Sequence, residues 1–391
     1  MDSGILPTQS APRKTALNAL HRRLGAKMVN FGGWDMPVEY PCSGGLVAEH
    51  KAVRSGVGVF DVSHMGDIQV SSGNVPGGAL AAVQHLTIND ASKLAIGQAQ
   101  YSAMLYPQGT FVDDVIVHRL GQDDFLLVIN AGTREKDISW VRENTKSFDC
   151  QVQDLSDAYT QLAIQGPRAV DVMRKLTDAN LDGVKNYWFT HGMVCGLKNI
   201  LIARTGYTGE DGFEIYVPPD VAESERIWNE VFAAGKEFGV VACGLGARNT
   251  LRLEAKMALY GHEIGDTINV WESGLDRYCK MDKGDFVGRA ALEKAKTAGA
   301  QRVLVGIEMI ERGIARDGYR ICNETGEAIG VVTSGSPSPT LCKNIALAYV
   351  PPACAAVDTE LWVEIRAQKA KARVVPTPFY KRPKKVAGQS I

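Results

Sequence analysis

Two adjacent carboxylates stand inside an apolar run, Phe111-Val112-Asp113-Asp114-Val115-Ile116-Val117. Val, Ile and Phe favour strands, and successive strand side chains point to opposite faces. Alternation gives Asp114 a face with Val112 and Ile116, and gives Asp113 the other face with Phe111, Val115 and Val117. Asp is depleted in strands and almost never fully buried unless paired. Such broken local rules concentrate at functional sites. The plainer alternative is one exposed edge Asp and one Asp accepting backbone hydrogen bonds in a bulge.

Three further groups could do chemistry. The loop Thr205-Gly206-Tyr207-Thr208-Gly209-Glu210-Asp211-Gly212 has no Lys, and its acids would repel a phosphate. An acid-lined Gly loop suits a ligand with N–H donors, such as a pterin or an amine; a plain hairpin turn is the simpler reading. Arg248 and Arg252 lie four residues apart, on one face of a helix. They call for an anion, either a carboxylate ligand or the protein's own Glu254 or an Asp; a solvated face is the simpler reading. His64 could be catalytic, but no carboxylate or nucleophile is paired with it in sequence, which favours a hydrogen-bonded structural role.

These residues need elements to position them. Tyr101 to Tyr106 and Phe111 to Leu120 read as strands across the turn Pro107-Gln108-Gly109, so the double Asp sits on the second strand of a hairpin. Phe125 to Asn130 reads as a third strand and Arg134 to Asn144 as an amphipathic helix. Upstream, Thr15 to Leu24 and Gly45 to Ser55 read as helices. Lys27 to Tyr40 reads as a strand broken by Gly32-Gly33 and stopped by Pro37, with Trp34 a core anchor. Val57 to Val70 reads as one strand and Gly73 to His85 as a small-residue helix. Downstream, Leu162 to Ala169 is a strand entering a helix with Pro167 at its first turn. Asn186 to Phe189 brings Tyr187 and Trp188. Ile200 to Arg204 and Phe213 to Val217 are strands, with Glu214 and Tyr216 sharing a face. Ala247 to Tyr260 is a helix closed by Gly261, and Lys294 to Gln301 the end of a linker helix. Strands at Val303 to Met309, Gly330 to Thr333, Ile345 to Val350 and Leu361 to Ile365 make an all-β C-terminal part, with Ser334 to Pro339 a rigid polar loop. Strands and helices alternating irregularly, with hairpins, indicate an α+β fold.

At 391 residues the chain exceeds what one core usually supports. Net charge is −1, so no global basic field attracts nucleic acid or an anionic membrane. No window approaches the roughly 18 apolar residues of a membrane helix. The eight cysteines are scattered without a C-x-x-C pair, and the seven histidines stand apart. That fits reduced thiols and offers no metal motif. Met1 to Lys14 lacks signal- and transit-peptide character and reads as a disordered lead-in to a cytoplasmic protein. The basic tail from Lys381 is expected to fray.

In order along the chain come Lys27-Met28-Val29 through Gly33-Trp34, Phe60-Asp61-Val62-Ser63-His64-Met65, Asp113-Asp114 and Gly206 through Glu214. Gly244-Leu245-Gly246-Ala247-Arg248, Leu251-Arg252-Leu253-Glu254-Ala255 and Thr333-Ser334-Gly335 follow. Together they closely resemble the aminomethyltransferase (T-protein) family of the glycine cleavage system, from about Thr15 to Lys381. The resemblance implies a three-domain cloverleaf around a central folate channel. Two α+β domains with ferredoxin-like elements meet a C-terminal all-β, barrel or jelly-roll-like domain. The expected bounds are 1–60 with 151–298 for a discontinuous first domain, 61–150 for the second, which carries Asp114, and 299–391 for the third.

The implied reaction transfers the methylene of an aminomethyl group, carried on the lipoyl arm of H-protein, to tetrahydrofolate, and releases ammonia. The implied partners are H-protein and the other glycine cleavage components, with no nucleic acid, membrane or metal. Residue by residue, the family's key aspartate matches Asp114, and its pterin-binding glutamate matches Glu214. Tyr101, Trp188 and Tyr207 match pocket aromatics, Met65 and Val115 match pocket apolar positions, and Arg248 matches a substrate-binding arginine. Three stretches depart from the pattern: Gln108-Gly109-Thr110 before the aspartates, Asn249 in place of Asp, and Trp271-Glu272-Ser273. A folate-dependent demethylase of a small methylated amine or sulfonium compound is the alternative within the superfamily. A non-enzymatic folate-binding accessory protein ranks below both. Its family carries a cysteine that Lys283-Gly284-Asp285-Phe286 lacks.

Overall fold

The computed structural model describes residues 11–366 and 368–383. The first ten residues of the expected lead-in, and the tail from residue 384, lie outside the described residues.

Three β systems organise the chain. The first is a six-stranded sheet in the order Phe189–Val194, Leu197–Ala203, Gly212–Val217, Thr160–Gln165, Gly58–Asp61 and Val241–Ala242. All its pairings are antiparallel except that of Val241–Ala242 with Gly58–Asp61. One core packs it against the helix Val221–Gly235, through Ile227, Trp228 and Val231. The second is an antiparallel five-stranded sheet in the order Ala99–Leu105, Phe111–Gly121, Asp124–Ile129, Gly66–Ser72 and Cys150–Asp154. Its inner face packs on the helices Gly78–Leu86 and Arg134–Asn144. The third is a closed six-stranded barrel between Val303 and Val375, which leaves no unpaired sheet edge.

Val57 to Val70 is not one strand. Gly58–Asp61 belongs to the first sheet and Gly66–Ser72 to the second, with a crossing at 62–65. Asp61 makes that crossing. Its carboxylate accepts from Ser63 N at 2.9 Å, Ser63 Oγ at 2.6 Å and Thr15 Oγ1 at 2.7 Å, and meets His21 Nε2 at 2.9 Å. Those local bonds compete with a sheet ladder and turn the chain. The chain returns between Asp154 and Thr160, so the strands of the second sheet fall within 66–154.

Other local readings shift for identifiable reasons. Lys27 to Tyr40 is a hairpin, Lys27–Phe31 with Trp34–Glu39, turning on Gly32 and Gly33 at φ 55° and 84°. Pro37 lies within the second strand at a bulge instead of stopping it. Ser334 to Pro339 is mostly strand, Ala328–Ser338, entered through another bulge. The helix at Gly73 begins only at Gly78, after Gly77 at φ 94°. The helix expected to run to Tyr260 ends at Glu254, and Lys256 at φ 54° sends the following residues across the molecule.

Candidate active site

A cavity lies between the two sheets and is closed by the segment that follows the helix Leu245–Glu254. One wall comes from the five-stranded sheet through Tyr101, Asp114, Ile116 and Asn130. The opposing sheet contributes Glu214 and Tyr216, with the loop Thr205-Gly206-Tyr207. Arg248 enters from the helix, and Lys256 to Ala258 and Arg277-Tyr278 from the closing segment. Among the described residues, none from the barrel lines this cavity. The barrel instead lines a neighbouring cleft, through Arg316, Ser334 and Gly335, and that cleft shares Tyr207 and Arg248 with the cavity. The cavity thus lies between the two sheets, and the adjoining cleft brings the barrel to its edge.

The double aspartate is set by a bulge. Ala103 pairs with Asp114 and Met104 with Asp113, but Leu105 pairs with Phe111, so Val112 is an extra residue. The bulge shifts the alternation. Val112 joins Val115 and Val117 in the core of the second sheet, and Phe111 packs with Ala103 and Leu105 in a separate cluster. Asp114 thus shares its cavity face with Ile116 but not with Val112, a correction to strict alternation. Val115 touches the cavity although its side chain belongs to the core.

Asp113 is fully buried and is satisfied locally. It accepts from Asn130 N at 3.2 Å, Asn130 Nδ2 at 2.8 Å, Thr133 Oγ1 at 2.7 Å and Asp114 N at 3.0 Å. Among the described residues, no arginine takes part. Behind it, burial and then the neighbouring Asp113 push the Asp137 carboxyl up to about 10, against the pull of Lys136, so Asp137 carries a proton at neutral pH. Asp114 faces the cavity. Tyr101 Oη donates to its Oδ2 at 3.0 Å and Asn130 Nδ2 to its Oδ1 at 2.8 Å. Burial and then the charge of Asp113 push its carboxyl up to about 7, while those two hydrogen bonds oppose the rise. A carboxyl in that range exchanges a proton readily at neutral pH.

On the other sheet, Thr205 Oγ1 donates to Glu214 Oε2. Burial raises the Glu214 carboxyl, while Thr205 and Arg248 hold it down. The Tyr207 hydroxyl donates to the carbonyl of Ala258, and the Arg248 guanidinium sits 4.6 Å from the Tyr207 ring centre. Tyr278 packs against Tyr101 at 4.7 Å between centroids. The site therefore combines flat aromatic walls, two carboxylates from different sheets and three cations, Arg248, Lys256 and Arg277.

Of the residues expected at the site, Met65, Tyr101, Asp114, Val115, Tyr207, Glu214 and Arg248 line the cavity. Trp188 does not. Its neighbour Tyr187 does, at φ 60°, where the chain turns between Arg204 and Ala99. Two adjacent aromatics carry no sequence signal for which one turns inward. Asn130 and Tyr278 were not expected, and a strand-end Asn has no local mark of a ligand to two carboxylates. The acids of the Gly loop serve the scaffold: Glu210 pairs with Arg54 at 2.9 Å and Asp211 with Arg204 at 2.6 Å. Arg252 does not bind an external anion either, since it is buried on Glu263 at 2.6 Å and Ser334 at 2.8 Å. Asn249 accepts from Arg252 Nε at 2.9 Å, so the departure from Asp still serves that arginine. His64 is buried against the Phe31 ring, and burial, then Arg248, holds its imidazole down to about 4.

Among the described residues, no group of three or more His, Cys, Asp or Glu is placed to hold a metal ion, and no helix is long and apolar enough to cross a membrane. The family described as the GCVT N-terminal domain matches residues 17–283, and that described as the glycine cleavage T-protein C-terminal barrel domain matches residues 302–381. An aminomethyltransferase of Koribacter versatilis is 67% identical over 379 residues, covering 97% of this chain and 99% of that protein. One from Acidobacterium capsulatum is 68% identical, covering 97% and 98%. The crystal structure of glycine cleavage system aminomethyltransferase T from Bartonella henselae superposes with a TM-score of 0.87 at 32% identity, covering 95% of this chain and 99% of that one.

Proposed function

The chain belongs to the glycine cleavage T-protein family and is an aminomethyltransferase, and from that premise we propose that its inter-sheet cavity binds tetrahydrofolate, with Glu214 at the pterin and Asp114 at the nitrogens that take up the carbon. The observation that carries this reading is the pair of carboxylates on two different sheets of one aromatic-walled cavity. Glu214, its plane fixed by Thr205, accepts two N–H donors from the aminopyrimidine edge as a charge-assisted fork. Tyr101 and Tyr207 flank the ring system. Arg248, at the boundary with the adjoining cleft, matches the anionic end of the ligand.

Asp114 does the proton work. The donor is an aminomethyl group in thioether linkage to the lipoyl arm of H-protein. Over the whole reaction its C–S and C–N bonds break and two C–N bonds form to the folate nitrogens. The two hydrogens lost from those nitrogens reach the thiol and the departing ammonia. Tyr101 and Asn130 aim the Asp114 carboxyl so that it takes and returns a proton at the attacking amine.

The test is a titration of the full chain with tetrahydrofolate, with and without aminomethyl-loaded H-protein, followed through methylene-tetrahydrofolate formation. Folate binding by the chain alone, and product only when H-protein is present, is expected. Turnover of a free methylated amine without H-protein, or no folate binding, overturns the reading.

A further inference from the structure

Beyond Glu214, the cavity contains a second hydrogen-bonding position. Gln161, on the strand Thr160–Gln165, stands directly across from Tyr216 on the neighbouring strand and lines the cavity with it. Glu214 is the diagonal neighbour, a spacing of roughly 7 Å in such a ladder. Gln161 is only 3% exposed, so its amide needs partners. Its main chain is pinned on both sides: its N–H donates to Ser63 Oγ at 3.0 Å and its carbonyl accepts from Val62 N at 3.0 Å. Its side chain is pinned as well, because Nε2 donates to Asp67 Oδ2 on the other sheet. A carboxamide is planar, so fixing the nitrogen on Asp67 directs Oε1 away from that wall. No donor reaches Oε1 among the described residues.

Asp67 suits the task of holding the amide. It is fully buried and its Oδ1 has no partner. Burial, and secondarily the Glu214 charge, raise its carboxyl well above the usual range, against the pull of Arg134. Oδ2 is the oxygen that accepts from Gln161 Nε2, and the rise favours the uncharged form next to Glu214.

We propose that Gln161 is a specificity-determining residue of the pterin subsite, its Oε1 accepting the exocyclic amino hydrogen that Glu214 leaves unpaired, and that Asp67 is its positioning residue. This rests on the cavity being the pterin site. A carboxylate fork uses the ring N–H and one amino hydrogen; the other amino hydrogen points aside and requires a separate acceptor. A site built this way rejects a ring that lacks the amino group, because Glu214 loses one of its two donors and Gln161 Oε1 loses its own.

The experiment measures Kd by calorimetry for 5-formyl-tetrahydrofolate and for its 2-desamino-2-methyl analogue, on the full chain and its variants. Wild type should prefer the amino compound. Gln161→Leu should bind that compound roughly 3- to 10-fold more weakly, and the analogue within about 2-fold of wild type. Gln161→Met, closer in length, gives the same comparison if the leucine variant fails to fold. Asp67→Ala should narrow the preference by releasing the amide, and Asp67→Asn should restore it. Equal weakening of both ligands in Gln161→Leu, or no change in either, overturns the proposal. If wild type binds neither ligand, or Glu214→Gln leaves the amino compound's affinity intact, the pterin reading itself fails.

Discussion

Replacing Asp114 by Asn should make the protein more stable at alkaline pH while abolishing its reaction. In the folded chain the Asp114 carboxyl moves from an ordinary value near 3.8 to about 7, first through burial and then through the charge of Asp113. The folded state therefore holds that proton to higher pH than the unfolded chain does. Stability from this group is fully present below about pH 4 and is lost as pH rises through 7. Each pH unit of that interval is worth about 1.4 kcal/mol, so the cost of the ionised carboxylate reaches about 4 kcal/mol above pH 7. Relaxation of the surroundings lowers that cost, leaving an expected gain of about 1–3 kcal/mol for Asp114→Asn at pH 8. Asn fits the site: its Oδ1 accepts from Asn130, and its Nδ2 donates to Tyr101, whose hydroxyl can rotate to accept. Thermal unfolding at pH 5 and pH 8 measures the effect. The variant should gain about 2–6 °C over wild type at pH 8 and distinctly less at pH 5. Equal destabilisation at both pH values, or a gap that widens toward acid, refutes a strained carboxylate at this position. Near-normal tetrahydrofolate-dependent ammonia release by Asp114→Asn refutes its role in the chemistry.

Asp113→Asn should cost stability more than chemistry. It sets amide hydrogens against donors from Asn130, Thr133 and Asp114 N, a loss of about 1–3 kcal/mol in urea unfolding; a variant that folds as wild type but loses activity would reverse the two roles. The same change removes a charge that raises the Asp114 carboxyl, so the pH profile of kcat/KM should move toward acid. Tyr101→Phe removes a hydrogen bond that favours the carboxylate, so the profile should move toward alkaline pH, with kcat lowered several-fold. Glu214→Gln should fold normally, because it relieves a carboxyl raised by burial, yet weaken tetrahydrofolate binding by about tenfold or more in calorimetry. Glu254, held down to about 2 mainly by His50, Ser338 and Arg54, gives stability that is present above pH 4.5 and lost toward pH 2. Glu254→Gln should flatten the acid limb of the Tm–pH curve.

Much of the site could be read from residue types because its chemistry is local. A strand with two acids, a Gly loop leading to Glu214 and an Arg on the helix after Gly244 are each visible in a few residues. Sequence does not reveal register. The bulge at Val112 changes which neighbours share the Asp114 face, although every residue type there is consistent with unbroken alternation. The same limit hides the sheet crossing at 62–65, where Asp61 captures Ser63 in place of a ladder bond, and the choice of Tyr187 over Trp188, which follows from a single positive φ. It also hides Asn130 and Gln161, polar residues whose partners lie on strands distant in sequence.

The aspartate doublet has a physical reason that alternation alone does not show. Adjacent strand residues face opposite ways, so one acid can be anchored while the other is presented. Asp113 is anchored by four hydrogen bonds, and one of its donors, the Asn130 side chain, also reaches Asp114. The anchored charge is also the second largest cause, after burial, of the rise of the Asp114 carboxyl toward neutrality. A single aspartate at 114 would lose both the amide aimed by its neighbour and part of that rise, and would be a weaker proton acceptor at pH 7. The doublet thus couples the position of the Asp114 carboxyl to its proton affinity through one buried neighbour, and Asp113→Asn should therefore shift the pH profile even where turnover at the optimum survives.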